Sequence, residues 1–199
     1  DEGLLTMDER ICDAFEEYVP SNASKNLLDT RVRHMLTMTT GLNEPLFFAD
    51  GPERYKVKDW IAHFFNAEFG HAPGERFLYS NFNTYILSCL VEKRAGVNLL
   101  EYLRDRLLEP LGIGNPDWTL CPKGHVHAAN GLYLNIDELG NFGDMLLHYG
   151  EYKGKQLVPE YWIDEACRKQ IDTPEAMNRY GYGYQFWMCR RPGAFQFNG

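Results

Sequence analysis

Covalent hydrolysis needs an attacking group with a base beside it, and this 199-residue sequence offers few attackers. Its four serines are Ser21, Ser24, Ser80 and Ser88. None sits in a Gly-x-Ser-x-Gly elbow, and three residues on from each stand Ser24, Leu27, Asn83 and Val91 rather than a lysine. A serine hydroxyl without a partnered base is a poor nucleophile. Gly-rich phosphate loops and His-Glu-x-x-His are absent too, so the sequence implies no cofactor and no metal. Cys121, His125 and His127 lie within seven residues and could form half a zinc site, but no second ligand cluster follows. An ordinary Pro/Gly loop explains them better. Nothing local supports Cys89 or Cys167 as a nucleophile.

The most informative segment is Pro73-Gly74-Glu75-Arg76-Phe77-Leu78-Tyr79-Ser80-Asn81. A Pro-Gly turn delivers an apolar pair and then Tyr-Ser-Asn, immediately ahead of a helical pattern. Structurally, Tyr79 reads as a half-buried aromatic, with Ser80 or Asn81 capping the helix. Chemically, a phenol of pKa ~10 can accept a proton near neutrality only if cations favour its phenolate. Phe47-Phe48 and Trp60 could line a substrate groove, although buried core is the better reading of them.

Positioning these residues falls to a mostly helical body. Thr6 with Glu9 spells a capping box before Ile11, Cys12, Phe15 and Tyr18, in a helix reaching towards Pro20. Thr30 is expected to cap a short helix carrying Val32, Met35 and Leu36 and stopping at Gly41. Trp60, Ile61, Phe64 and Phe65 make one apolar stripe; Phe82, Ile86, Cys89 and Leu90 make another, closed by Gly96. Asn98 with Glu101 opens a helix bearing Leu99, Leu100, Leu103 and Leu107, ended by Pro110 and Gly112. Asn135 with Glu138 opens the next, with Leu139, Phe142, Leu146 and Tyr149 on one face. Pro159 is placed as a first-turn proline ahead of Tyr161-Trp162-Ile163. Only Tyr180 to Cys189 reads as strand. A lone strand must find a partner, in this chain or another. We therefore expect an open, aromatic edge over Tyr182 to Met188 that favours a homo-oligomer.

Composition sets the frame. Hydrophobic residues make up 44% and charged residues 24%, which excludes disorder. The formal net charge of −8 argues against electrostatic binding to nucleic acid or an anionic membrane. No apolar run approaches the ~20 residues of a membrane span. Five cysteines with wide, irregular spacing are no disulfide framework and favour a reducing, cytoplasmic compartment, although localisation is otherwise undetermined. The segment Asp1-Glu2-Gly3-Leu4-Leu5 has no leader or initiator Met, and Phe195-Gln196-Phe197-Asn198-Gly199 has no helix stop, so both ends read as those of an excised fragment. Residues 1–199 form one domain, a helical body over about 4–170 and a strand region over about 180–199.

In order along the chain stand Arg31-Val32-Arg33-His34-Met35-Leu36-Thr37-Met38-Thr39-Thr40-Gly41-Leu42, Tyr79-Ser80-Asn81, Leu108-Glu109-Pro110-Leu111-Gly112-Ile113, Ala128-Ala129-Asn130-Gly131-Leu132-Tyr133 and Tyr180-Gly181-Tyr182-Gly183-Tyr184. The ordered set, from about Gly3 to Tyr184, resembles the serine hydrolases comprising class C β-lactamases, D-alanyl-D-alanine peptidases and related esterases. The resemblance implies an α+β, penicillin-recognising fold, here mostly the helical lobe with a residual piece of the antiparallel sheet. It implies a groove site with Tyr79 as catalytic residue and Asn81 as substrate-binding residue, acting on a small-molecule or peptide substrate by acyl transfer to serine. Two of the family's elements are missing: the Ser-x-x-Lys helix, expected just upstream of Asp1, and the Lys- or His-containing strand triplet, expected near or after Phe197-Asn198-Gly199. His148-Tyr149-Gly150 has the spelling of the latter but lies at a predicted helix end. The expectation is a fragment of a serine hydrolase, inactive as this chain. The alternatives are a catalytically dead binding module on the same scaffold or an unrelated helical protein.

Overall fold

The computed structural model describes residues 2–46, 52–178 and 180–197; Phe47 and Phe48 lie outside them. The first helices are shorter than the sequence pattern suggests. Helix α1 covers only Ile11–Ala14, with Arg10 as its N-cap, and a 3₁₀ turn follows at Glu16–Tyr18. The Thr6–Glu9 capping box does not form. The Glu9 carboxylate is instead paired with Arg94, and backbone bonds from Ile11 N to Thr30 O (3.1 Å) and Val32 N to Glu9 O (3.0 Å) stitch this stretch to residues 30–32. Ser24 caps α2 (Lys25–Leu28).

Arg31, not Thr30, is the N-cap of α3 (Val32–Leu36). The His34 ring accepts the Arg31 N–H at 3.1 Å, while the Thr30 hydroxyl donates to the carbonyls of Asn26 and Thr40. The helix stops at Leu36, well before Gly41, because Met38 adopts a left-handed conformation (φ 59°).

The two central stripes are where the pattern places them. Asp59 caps α4 (Trp60–Phe65), whose Trp60, Ile61, Phe64 and Phe65 are all buried. Helix α5 (Asn81–Ala95) buries Phe82, Tyr85, Ile86, Cys89 and Leu90 against them and ends at left-handed Gly96. Trp60, only 1% exposed, is core and lines no groove. Asn98 caps α6 (Leu99–Leu103), which continues through one wider π turn at Arg104–Leu108.

A second apolar cluster joins Leu108, Leu111 and Ile113 to α7 (Ile136–Leu147) and α8 (Glu160–Ala166). The Asn135–Glu138 capping box forms as expected, both of its hydrogen bonds at 2.9 Å. The expected inner stripe of α7 needs correction: Phe142 and Leu146 pack inward, but Leu139 and Tyr149 are exposed. Pro159 is the N-cap of α8, one position ahead of the first turn. A short α9 spans Glu175–Asn178.

Among the described residues, extended structure forms three two-stranded antiparallel ladders and a few isolated bridges; the ladders are β1 (Asp117–Trp118) with β2 (Leu132–Tyr133), β3 (Glu151–Tyr152) with β4 (Lys155–Gln156), and β5 (Trp187–Met188) with β6 (Phe195–Gln196). The stretch Tyr180–Cys189 is thus a hairpin, not one strand. Tyr182 pairs with Trp187, and the Gly183 N–H bonds back to Phe186 O at 2.7 Å. The open edge expected over Tyr182–Met188 is filled from within the chain. Tyr182 pairs outward with Ile171, and β5 lies between Tyr182 and β6. No helix among the described residues is long and apolar enough to cross a membrane.

Candidate functional site

The segment leading to Tyr79 is laid along residues 38–43 by a series of backbone bonds. Asn43 N donates to Glu68 O (3.0 Å), His71 N to Gly41 O (3.2 Å), Gly74 N to Thr39 O (2.8 Å) and Leu78 N to Met38 O (2.8 Å). The contact is close enough that Gly41 has to be glycine: its φ is +89°, and a Cβ there would stand 2.2 Å from the His71 carbonyl oxygen. Met38, buried and left-handed, ends this track. Its sulfur accepts a hydrogen bond from Asn83 Nδ2 at 3.3 Å, which ties the track to the second residue of α5 beyond Asn81.

Ser80 then performs the whole capping task. Its Oγ accepts the Phe82 N–H at 3.3 Å and donates to Pro45 O at 2.9 Å. Asn81 is therefore released from capping. It opens α5 half-buried, its side-chain amide making no hydrogen bond to another described residue. The Tyr79 hydroxyl likewise has no hydrogen-bond partner among the described residues.

The ring of Tyr79 is held by aromatics from the C-terminal hairpin. It stacks on Trp187 at 5.4 Å between centroids and meets the edge of Tyr182 at 6.3 Å. Phe77 closes the cluster against the same two rings at 5.7 and 5.3 Å. Such offset and edge contacts are the favoured aromatic geometries. Burial pushes the Tyr79 phenol above its ordinary value, and no charged group among the described residues opposes that shift. The phenol is neutral at pH 7.

Gln185 clamps the hairpin in place. With φ at +70°, it receives a hydrogen bond from the Thr84 hydroxyl on its Oε1 at 2.6 Å. Its Nε2 donates to Met35 O and Leu36 O at 3.4 and 3.3 Å. The sequence pattern singles out Tyr79 and Asn81 but gives no sign that Tyr182 and Trp187 hold the Tyr79 ring, or that Gln185 and Met38 fasten the segments beside it. The aromatic density of Tyr180–Trp187 was the available signal; the hairpin's turn was what concealed its use.

The other candidates disperse. Cys121 Sγ accepts from Tyr85 OH at 3.3 Å, whereas His125 turns to Glu92 at 2.6 Å and His127 packs edge-on against Trp60 at 5.2 Å. Among the described residues no three His, Cys, Asp or Glu side chains gather into a metal-holding group. All five cysteines are free thiols. Burial pushes Cys89 up strongly and Cys167 to about 11, neither a nucleophile's environment. His148 is the C-cap of α7, not part of a strand. Cavities of 790 and 660 Å³ lie along α7 and beside the N-terminal segment, and neither is lined by Tyr79 or Asn81.

In comparison with known protein families, the Beta-lactamase model matches residues 1–199. No curated protein sequence matches. Among solved structures, the chain is similar to a protein assigned as a 6-aminohexanoate-dimer hydrolase from Bacillus anthracis, with a TM-score of 0.81, 19% identity, and coverage of 98% of this chain and 56% of that one. It is also similar to the octameric penicillin-binding protein homologue from Pyrococcus abyssi (TM-score 0.68, 22% identity, 93% and 48% covered). A third is the D-stereospecific amidohydrolase from a Streptomyces species (TM-score 0.68, 22% identity, 92% and 63% covered). The chain thus spans about half to two thirds of the length of these structures.

Proposed function

The chain belongs to the β-lactamase family, and from that membership we propose that it carries the Tyr-x-Asn portion of a serine-hydrolase site, with Tyr79 as the proton-transfer residue and Asn81 as the substrate-binding amide. The parent reaction is acyl transfer from an amide or ester to a serine, followed by hydrolysis. The observation that carries this reading is the pair of polar groups at the start of α5 with no structural partner. Ser80 caps the helix, so neither the Tyr79 hydroxyl nor the Asn81 amide is needed to hold the fold.

The chemistry sets what else is required. A neutral phenol cannot take a proton from serine, so a cation must approach Tyr79 to favour its phenolate. The sequence has no Ser-x-x-Lys to supply the nucleophile and a lysine beside it. We therefore propose that this chain by itself performs no acyl transfer. That no cation among the described residues acts on Tyr79 equally suits a catalytically dead binding module built on the same scaffold.

Incubation with a fluorophosphonate or a labelled penicillin tests the reading. The expected result is an unlabelled chain, with β-lactam and ester turnover at the buffer rate. Stoichiometric labelling of any of the four serines would contradict it.

A further inference from the structure

Helix α3 is capped by a titratable ring. The half-buried His34 side chain accepts the Arg31 N–H on Nδ1 at 3.1 Å. Only a neutral imidazole with its proton on Nε2 offers that acceptor; the imidazolium has two N–H donors and no acceptor. Glutamate or glutamine is the usual residue at this third helical position, where a side-chain oxygen reaches back to the N-cap amide. Here the same bond is made by a group whose ordinary pKa is ~6.5.

The ring also stands beside the segment that leads to Tyr79. A Cβ added to Gly74, which is left-handed at φ +88°, would lie 3.8 Å from His34 Nε2. Backbone bonds join the same parts: Thr39 N donates to His34 O, Gly74 N to Thr39 O and Leu78 N to Met38 O, each at 2.8 Å. The surroundings resist a proton on the ring. Burial is the largest influence, followed by the Arg33 and Arg31 guanidiniums; Asp8 acts the other way, and together they hold His34 below the ordinary histidine value. Asp8 is itself paired with Arg33 at 2.7 Å. On the facing turn, Glu75 accepts the Ala72 N–H at 3.0 Å and Arg76 meets His71 at 3.0 Å.

We propose that His34 is a pH-sensitive latch: its neutral ring fastens the start of α3 beside the Pro73–Gly74 turn, and its protonation unfastens them, loosening the track on which Tyr79 is laid. The latch belongs to the fold and is independent of the roles proposed for Tyr79 and Asn81. Protonation removes the acceptor for the Arg31 N–H and sets a third positive charge beside Arg31 and Arg33. The unfolded chain takes up this proton at ~6.5 and the folded chain only at a lower pH, so the latch weakens as pH falls through ~6.5 and is fully released below the folded value.

Amide hydrogen exchange followed by NMR at about pH 7.5 and about pH 5, corrected for intrinsic exchange rates, reads the latch directly. Protection of the Arg31, Thr39, Gly74 and Leu78 amides should fall by about fivefold at the lower pH, the worth of a helix N-terminal cap, while the middle of α5 keeps its protection. His34→Gln retains a cap acceptor that does not titrate, so its protection at the same amides should be equal at both pH values. His63, also held below the ordinary histidine value by burial, titrates in both chains and cancels in the comparison. The His34 ring of the unsubstituted chain should itself titrate below ~6.5, a readout that needs no variant. Protection that does not change with pH, an equal loss in His34→Gln, an equal loss throughout α5, or a His34 ring titrating at or above ~6.5 would overturn the proposal.

Discussion

The two ends of α5 treat polar groups in opposite ways. At the C-terminal end the buried Glu92 carboxylate accepts hydrogen bonds from Leu99 N (3.1 Å), Val126 N (3.2 Å) and His125 Nδ1 (2.6 Å). Burial alone would raise its pKa, but these donors outweigh that and hold the carboxyl below the ordinary carboxylate range. Every acceptor site there has a structural task, fastening the 121–127 loop and the start of α6 to the core. At the N-terminal end, the Tyr79 hydroxyl and Asn81 amide have none, although the Tyr79 ring is packed and Ser80 is fully engaged. The contrast separates polar side chains that the fold engages from two that no described residue engages.

Removing the Glu92 carboxylate is the largest perturbation of this contrast. Glu92→Gln leaves buried donors without a charged acceptor and should destabilise the chain by about 2–3 kcal/mol at pH 7 in urea unfolding. The pH dependence follows from the lowered folded-state pKa: the stability contributed by ionised Glu92 is present above its unfolded value of ~4.3 and is lost as pH falls through the folded value. The gap between Glu92→Gln and the unsubstituted chain should therefore close below about pH 4. A gap that is constant with pH would mean that the carboxylate is not the group at work.

Gln185→Ala comes next, at about 1–2 kcal/mol, since it unfastens the hairpin from Thr84, Met35 and Leu36. Its more specific consequence is at the site. Tyr79 loses its Trp187 stack, so the tryptophan near-ultraviolet circular dichroism should fall while helix content is kept. Retention of that signal would show that the aromatic cluster holds without the clamp.

Ionisation of Tyr79 is a finer probe. Burial raises its phenol above the usual ~10, so difference absorbance between the chain and Tyr79→Phe should show no phenolate below about pH 10. A Tyr79 phenolate near neutrality would reveal a cation at the site and would remove one of the two reasons for expecting this chain to be inert, leaving the missing nucleophile.

The sequence was readable wherever local pattern and tertiary packing agreed. The Trp60–Phe65 and Phe82–Leu90 stripes, the Asn135–Glu138 box and the Gly96 stop were legible because each rests on residues three or four apart. Helix α1 departs from its pattern because its start is set by pairing with Thr30–Val32, some twenty residues away. The stop of α3 comes earlier than Gly41 because Met38, not a glycine, takes the left-handed conformation. The ordered motifs single out Tyr79 and Asn81, but the rings that hold Tyr79 and the clamp beside α5 come from residues about 100 positions on. No local spacing could show that Trp187 would face Tyr79, nor that Gln185 would reach Thr84.

The smallest expected effect tests the central claim most directly. If Tyr79 and Asn81 are reserved for function, deleting both polar groups while keeping the packed ring should leave the fold unchanged. The measurement is the urea unfolding free energy of the double variant Tyr79→Phe/Asn81→Ala beside the unsubstituted chain, at pH 7. The account predicts a difference within about 0.5 kcal/mol, the range of substitutions that touch no structural feature. A loss of about 2 kcal/mol or more would contradict it, placing both groups among the supports of the fold, as Glu92 is at the opposite end of the same helix.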